Sequence, residues 1–500
     1  MNTTAIIAVV ILYEIVSIGG CALYIHSKEK RLKHAGAGTG DDFSTGGQSM
    51  TWPVVGASLA LSLLGTVKIF GIMQQAINLG AVVAWFSIAT IFPLIMISLG
   101  TGRWIRRLKV STMPELFGKM YGDRIRLFVC AIIALQTFVI LTIETQGLGT
   151  VFNALSAGQI SVAMGAIVGG IIGIFYVIIA GMKEVGMVNV INVIVMYIGL
   201  IAAAIILGRV LPGDGWADFE AYFVNNGQAD MLKFFGTPAV FFSFALNNII
   251  ALLCAQSVSQ MGVQSAIAAK SEKDIKRAVL VSAPVNGIFG LITMAMGLAG
   301  KYMIDTGHLP LPEGVQPTGQ SIGTQVIMQL MPGWVVCLLL AAFLGAILST
   351  FAITTMALGS IFLNNIYISK YPDASEKQKT RVVRTMIVIT GVIAMLIASK
   401  LPNIINSANW SFAWITPMFF TLVFGLFWKQ SRTAAGITMG ASWIIIMLYT
   451  FTPLPAMLGI TLPLIYIVLI VCIVVGVISY AVTKGDKGYM VLWKEAQGVK

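Results

Sequence analysis

Apolar runs of eighteen or more residues recur along the whole of this 500-residue chain, and they leave it one kind of fold. A run of that length, coiled at about 1.5 Å per residue, matches the hydrocarbon core of a bilayer. The runs are continuous rather than alternating, so they predict helices and not a β-barrel. Thirteen spans can be marked, at roughly 4–25, 51–78, 79–101, 125–152, 158–180, 186–208, 237–263, 279–303, 334–366, 382–400, 408–428, 434–452 and 460–483. With 57% of residues hydrophobic and 10% charged, a soluble protein is excluded. The first run has no basic flank before it and is too long for a signal segment, so it is expected to be retained.

The net charge of +12 does not imply nucleic acid, because the cations are sorted by side. With the N terminus outside, only Arg209, Lys233, Lys301 and Lys400 fall in external segments, and Lys68 falls within a span. The remaining Lys and Arg sit in internal loops and the C-terminal tail, which predicts N-out and C-in in a cytoplasmic membrane. The five cysteines are dispersed, with no paired spacing, and His26, His34 and His308 are expected in loops. No metal site, disulfide framework or histidine relay is suggested. No G-x-x-x-x-G-K-[ST] loop occurs, so transport would not be driven by ATP. No nucleophile–base constellation shares a loop, so no enzyme is expected. The chain reads as one transmembrane domain over 1–500, and the sequence assigns no oligomeric state.

Two spans are interrupted. The second, 51–78, carries Gly65 and then Lys68, about 4.5 Å from its midpoint, in an apolar half-layer about 15 Å thick. A charge at that depth is costly; it pairs with something or marks a transport path. The plain alternatives are a structural pair between Lys68 and Glu144 of the fourth span, or a lysine in a wet crevice. The seventh span, 237–263, is broken by the polarity of Asn247, Asn248, Gln256, Ser257, Ser259 and Gln260. It comes five spans after the first, and five is odd, so two five-span units would be inverted relative to each other. Paired interrupted helices in inverted repeats mark a mid-membrane binding site. Candidate solute contacts are therefore Gly65, Thr66, Lys68, Asn247, Asn248, Ser259 and Gln260, although amides and hydroxyls also serve as glue between helices. A third polar element, Ser349 and Thr350 after Gly345 and Ala346, offers oxygens suited to a hard cation. Back-bonding within the helix is the competing explanation.

Several blocks, in order, resemble the sodium:solute symporter family, which includes carriers of proline, sugar, sialic acid, pantothenate and iodide. Asp42-Phe43-Ser44-Thr45-Gly46-Gly47-Gln48-Ser49 is similar to its D-F-x-x-G-G-R-S block. Ser111-Thr112-Met113-Pro114-Glu115 is similar to its T-x-P-E loop. Gln264 through Ala268-Ala269-Lys270-Ser271 is similar to Q-R-x-x-A-A-K-S. The stretch Ala341 to Thr350 resembles A-A-x-x-A-A-x-x-S-[ST], and Trp428-Lys429 with Gly436 and Gly440 resembles the family's W-K block. The resemblance covers about 38–445. It implies an all-α membrane protein with a LeuT-like core of five plus five helices. The first repeat would be 51–208 and the second 237–428, with 1–25 and 434–483 peripheral. It also implies a sodium site made by the Ser349 and Thr350 hydroxyls with carbonyls near Leu61, Leu64 and Ala346.

The chain departs from the family pattern at three places. Lys68 is a cation one turn past the break. Val188, Asn189 and Asn192 replace a T-D-x-x-Q stretch, so the acid linked to a second sodium in some members is missing. Val67 and Ala84 stand where sugar-carrying members have contacts, which disfavours a sugar. The expected function is alternating-access uptake of a small anionic solute, a carboxylate, with Na+ as coupling ion and no other cofactor. One alternative is a sodium-independent or proton-coupled carrier in which Lys68 replaces the ion. Another is a membrane solute sensor.

Overall fold

The computed structural model describes residues 3–34, 43–156, 158–311, 322–400 and 404–497. Asp42 of the D-F-x-x-G-G-R-S block, and part of the external loop expected over 304–333, lie outside the described residues. Among them, twelve helices are long and apolar enough to cross a membrane. One of these, Gly65–Arg107, has 43 residues, about twice what a bilayer needs. It is not one crossing. At Gly80 the backbone takes φ 78°, and a Cβ there would lie 2.3 Å from the Met231 carbonyl oxygen, so only glycine fits the corner. The part before Gly80 completes the short helix Trp52–Ser62 as one interrupted span. The part after it is the next span. Counted this way, the crossings agree with the thirteen spans read from the sequence.

Burial identifies the centre. Within its most apolar window the helix Gly333–Lys370 is 94% buried, whereas the N-terminal helix is 28% buried. The chain is therefore wrapped around the helix that carries Ser349 and Thr350, with the N-terminal helix on the outside. That outer helix runs Thr3–His34, so His26 and His34 lie on it rather than in a loop, contrary to expectation.

The motif blocks prove to be caps and clamps between loops. Thr112 accepts from Glu115 N (3.2 Å), while Glu115 Oε2 accepts from Ser111 N (2.8 Å). This is a reciprocal helix cap with Pro114 in the first turn, and it accounts for the T-x-P-E pattern. Gln264 donates to the Ser44 carbonyl (2.7 Å), and Lys270 N donates to the Met50 carbonyl (2.8 Å). Lys429 Nζ donates to the carbonyls of Tyr480 (3.0 Å) and Thr483 (2.9 Å). Arg103 and Arg107 share Glu272, at 3.3 and 2.9 Å.

Candidate substrate and cation site

The first break begins where Leu63 N and Leu64 N turn back onto the carbonyls of Ala60 and Leu61, at 3.3 and 3.2 Å. Gly65 follows with φ 41°, and the helix restarts. Its fresh N-terminus is met by Glu144 from the helix Asp123–Leu155. Glu144 Oε2 accepts from both Thr66 N and Thr66 Oγ1, each at 2.9 Å. A carboxylate at a helix N-terminus satisfies free N–H groups and opposes the helix dipole favourably. The cap also fixes the residue type before it: a Cβ at position 65 would lie 2.3 Å from Glu144 Oε1.

Lys68 is 1% exposed. Its Nζ donates to Asn286 Oδ1 at 2.5 Å. The Asn286 amide donates in turn to the Ala60 carbonyl (3.2 Å) and the Ser282 carbonyl (3.0 Å). The Lys68–Glu144 pair weighed from the sequence is thus not formed: among the described residues no carboxylate lies within 4.0 Å of Lys68. Glu144 is engaged in capping, and the lysine is held by a neutral amide. Asn286 was not anticipated. Its only signal is that it is a lone amide in an apolar run, two residues after Pro284.

Around Thr350 the oxygens crowd. Its Oγ1 lies 2.8 Å from the Leu61 carbonyl oxygen and 3.1 Å from that of Ala346. A hydroxyl has one proton and cannot serve both carbonyls fully. Beside it, Ser349 Oγ is buried with no hydrogen-bond partner. The Leu64 carbonyl accepts only a long bond, 3.4 Å, from Lys68 N. A set of neutral oxygens with an orphaned hydroxyl fits a small hard cation.

A cavity of about 30 Å³ lies at the break, lined by Leu64, Gly65, Lys68, Glu144, Gln256 and Thr350 among others. That is room for about two waters. An organic solute needs the helices to part.

The second interruption falls at the far end of the polar run. The helix runs unbroken over Asn247–Val258, breaks at the extended Ser259, and restarts at Gln260. Ser259 Oγ caps the restart by accepting from Gly262 N at 3.0 Å. Of the solute contacts expected here, Asn248 donates back to the Phe244 carbonyl (2.7 Å), and neither Asn247 nor Asn248 lines the cavity. Gln260 accepts from Met113 N (2.9 Å) and donates to Gln264 (2.8 Å), so it is a loop clamp. Gln256 and Met261 line the cavity in their place.

Interrupted helices around a small cavity that holds Lys68, Glu144, Gln256 and Thr350, inside a bundle of membrane-spanning helices, define the architecture of a secondary carrier. The model of the sodium:solute symporter family matches residues 43–444, and the chain belongs to that family. It is a transporter family and not an enzyme family. The chain is 23% identical over 437 residues to the uncharacterized symporter YidK of Escherichia coli, covering 82% of this chain and 73% of that protein. It is 22% identical to human sodium-coupled monocarboxylate transporter 2, covering 73% of this chain and 59% of that protein. The chain thus spans less than two thirds of the human relative's length. A solved structure of a Na+-coupled sialic acid symporter, substrate-bound and outward-open, superposes with TM-score 0.76 at 21% identity, covering 97% of this chain and 99% of the other. The LeuT-like membrane fold expected from the sequence is the fold of this protein.

Proposed function

We propose that this chain is a symporter that couples a Na+ gradient to uptake of a small carboxylate-bearing solute by alternating access. The observation that carries the reading is the oxygen cluster of Ser349, Thr350, Leu61 and Ala346, set beside a buried ammonium that no acid neutralises. In this reading Na+ takes the cluster and draws the first broken helix onto the central helix. Lys68 then meets the solute carboxylate from the other side of the break. Thr350 already bridges the two elements through the Leu61 carbonyl. The sialic acid and monocarboxylate relatives carry carboxylates, which supports the same solute class.

The repeats would run 51–208 and 237–428, each opening on an interrupted helix, with the remaining spans peripheral. The N terminus would face outward and the C terminus the cytoplasm, in a prokaryotic cytoplasmic membrane.

Radioactive sodium binding to purified protein tests the reading. Wild type is expected to bind saturably, and Ser349→Ala to bind about 10- to 100-fold more weakly, as the loss of one ligand worth about 1.5–3 kcal/mol implies. Undiminished binding in Ser349→Ala would remove the cluster from the mechanism.

A second reading has one observation in its favour. Lys68 is itself a buried cation at the break, and among the described residues its one hydrogen-bond acceptor is neutral. Its ammonium would then stand in for Na+, making transport sodium-independent or proton-coupled. Absence of sodium binding by wild type, with binding gained in Lys68→Gln, is the result that selects it.

A further inference from the structure

The N-terminal helix holds the other acid buried at membrane depth, and the mechanism above does not use it. Glu14 lies about 2 Å from the midpoint of the span Thr4–Ser27, at the rise of a helix. It is 8% exposed, and neither of its carboxyl oxygens has a hydrogen-bond partner. The neighbouring Tyr13 does not help, because its hydroxyl donates to Asn192 Oδ1 at 2.7 Å. Glu14 lines a groove of about 700 Å³ between the N-terminal helix, the helix Val162–Ile179 and the central helix. The groove wall is otherwise almost entirely apolar and carries no basic side chain. Two further polar residues line it: Ser156, whose hydroxyl is taken up by the Asn153 carbonyl and Ile160 N, and Tyr176, whose hydroxyl is also buried and without a partner.

An acyl chain would fill the apolar wall but offers nothing to the carboxyl group. Water at this depth has few other partners. The volume lies within the range of pockets that hold small organic molecules. A buried carboxyl is kept in a membrane when something pairs with it. We infer that this groove binds a lipophilic primary amine, whose nitrogen meets Glu14 and Tyr176 while its hydrocarbon chain lies along the apolar wall.

The neutral amine reaches the groove through the bilayer. The carboxylic acid proton of Glu14 passes to the amine nitrogen, leaving a carboxylate and an ammonium joined by a charge-assisted hydrogen bond. No other bond changes. Leu344 and Leu348 form part of the wall, and they flank Ala346 and Ser349 on the central helix. An amine seated here touches the element that carries the proposed cation ligands, so the groove is an effector site rather than a second solute path.

The test is binding of tritiated dodecylamine to the full chain in lipid nanodiscs, measured above empty nanodiscs, with dodecanol as the matched competitor lacking a basic nitrogen. Wild type is expected to show one saturable site per chain that dodecanol does not clear. Glu14→Gln is expected to weaken it at least tenfold. Gly19→Phe serves as an independent variant, because Gly19 lines the groove and a Cβ there meets nothing within 4 Å. That ring would fill part of the groove while leaving the Glu14 side chain in place, and it is expected to weaken binding to a similar degree. Equal affinity in wild type and both variants, equal competition by dodecanol, or no saturable binding above empty nanodiscs each overturns the inference.

Discussion

Gly65→Val is expected to abolish transport and destabilise the protein, whereas Gly65→Ala should leave a weakened carrier. Two independent costs meet at this position. Its φ of 41° is a left-handed conformation that a β-branched residue resists, at about 1–3 kcal/mol. The added Cβ would also fall 2.3 Å from Glu144 Oε1 and 2.8 Å from its carboxyl carbon. The glutamate must then withdraw, and Thr66 N and Oγ1 lose their acceptor inside the membrane. Leaving such groups unpaired costs about 1–3 kcal/mol each. Together these come to about 3–9 kcal/mol, a factor of at least about a hundred in any equilibrium that needs the break intact. Alanine meets the same contact with a smaller conformational penalty. Thermal unfolding in detergent and uptake by proteoliposomes measure the two effects. Uptake by Gly65→Val above half the wild-type rate would show that the capped break is dispensable.

What could be read from the sequence divides along a physical line. The first break was legible because glycine followed by lysine is locally expensive in a bilayer, and no distant partner is needed to see that. The family blocks were legible for a related reason. Thr112, Glu115 and Ser271 do their capping within three or four residues of chain, so local spacing carries the signal. The second break lies within the polar run read from the sequence, but polarity alone does not say which of its residues makes it. Asn248 donates its side-chain N–H to the preceding turn, which lets a helix continue through it, while its Oδ1 is buried without a partner. Ser259 marks the true break, since its hydroxyl caps the helix that follows. Gln260 looked like a solute contact because its partners, Met113 and Gln264, lie in elements whose packing no local pattern reveals.

The partners of Lys68 were illegible for the strongest version of that reason. Glu144 was the sole acid in a nearby span and so the natural candidate. The structure employs it 78 residues away from its own position in sequence, as a cap for Thr66. Asn286 lies 218 residues from the lysine it holds. Charge complementarity alone favours the carboxylate, but once a helix terminus claims that carboxylate, a neutral amide remains. Glu14 escaped notice because one acid in a peripheral helix has no pattern around it. Its meaning lies in the groove it faces.

The lysine is where the two readings of coupling part most sharply. Lys68→Gln is expected to reduce solute uptake at least a hundredfold, to raise sodium affinity in the absence of solute, and to abolish any further gain in sodium affinity on adding solute. The reasoning starts from the missing counter-charge. The ammonium is 1% exposed and rests on one amide oxygen, so it has no hydrogen-bonded counter-ion of its own, the Glu144 carboxylate being engaged with Thr66. Were Nζ about 4 Å from the bound ion, repulsion would be about 4 kcal/mol at an effective dielectric of 20, close to a thousandfold in affinity. A carboxylate between the two cations removes that penalty for both. Solute and sodium would then bind better together than apart, which is the thermodynamic requirement of symport. Glutamine keeps a hydrogen-bond donor but supplies no charge, so the solute loses its counter-ion while the oxygen cluster is untouched. The measurement is paired: sodium affinity without solute, and sodium-driven uptake of a panel of small carboxylates, in wild type and variant. If wild type binds no sodium with or without solute while the variant does, the lysine replaces the ion, and the carrier's cycle is set by Lys68 rather than by Na+.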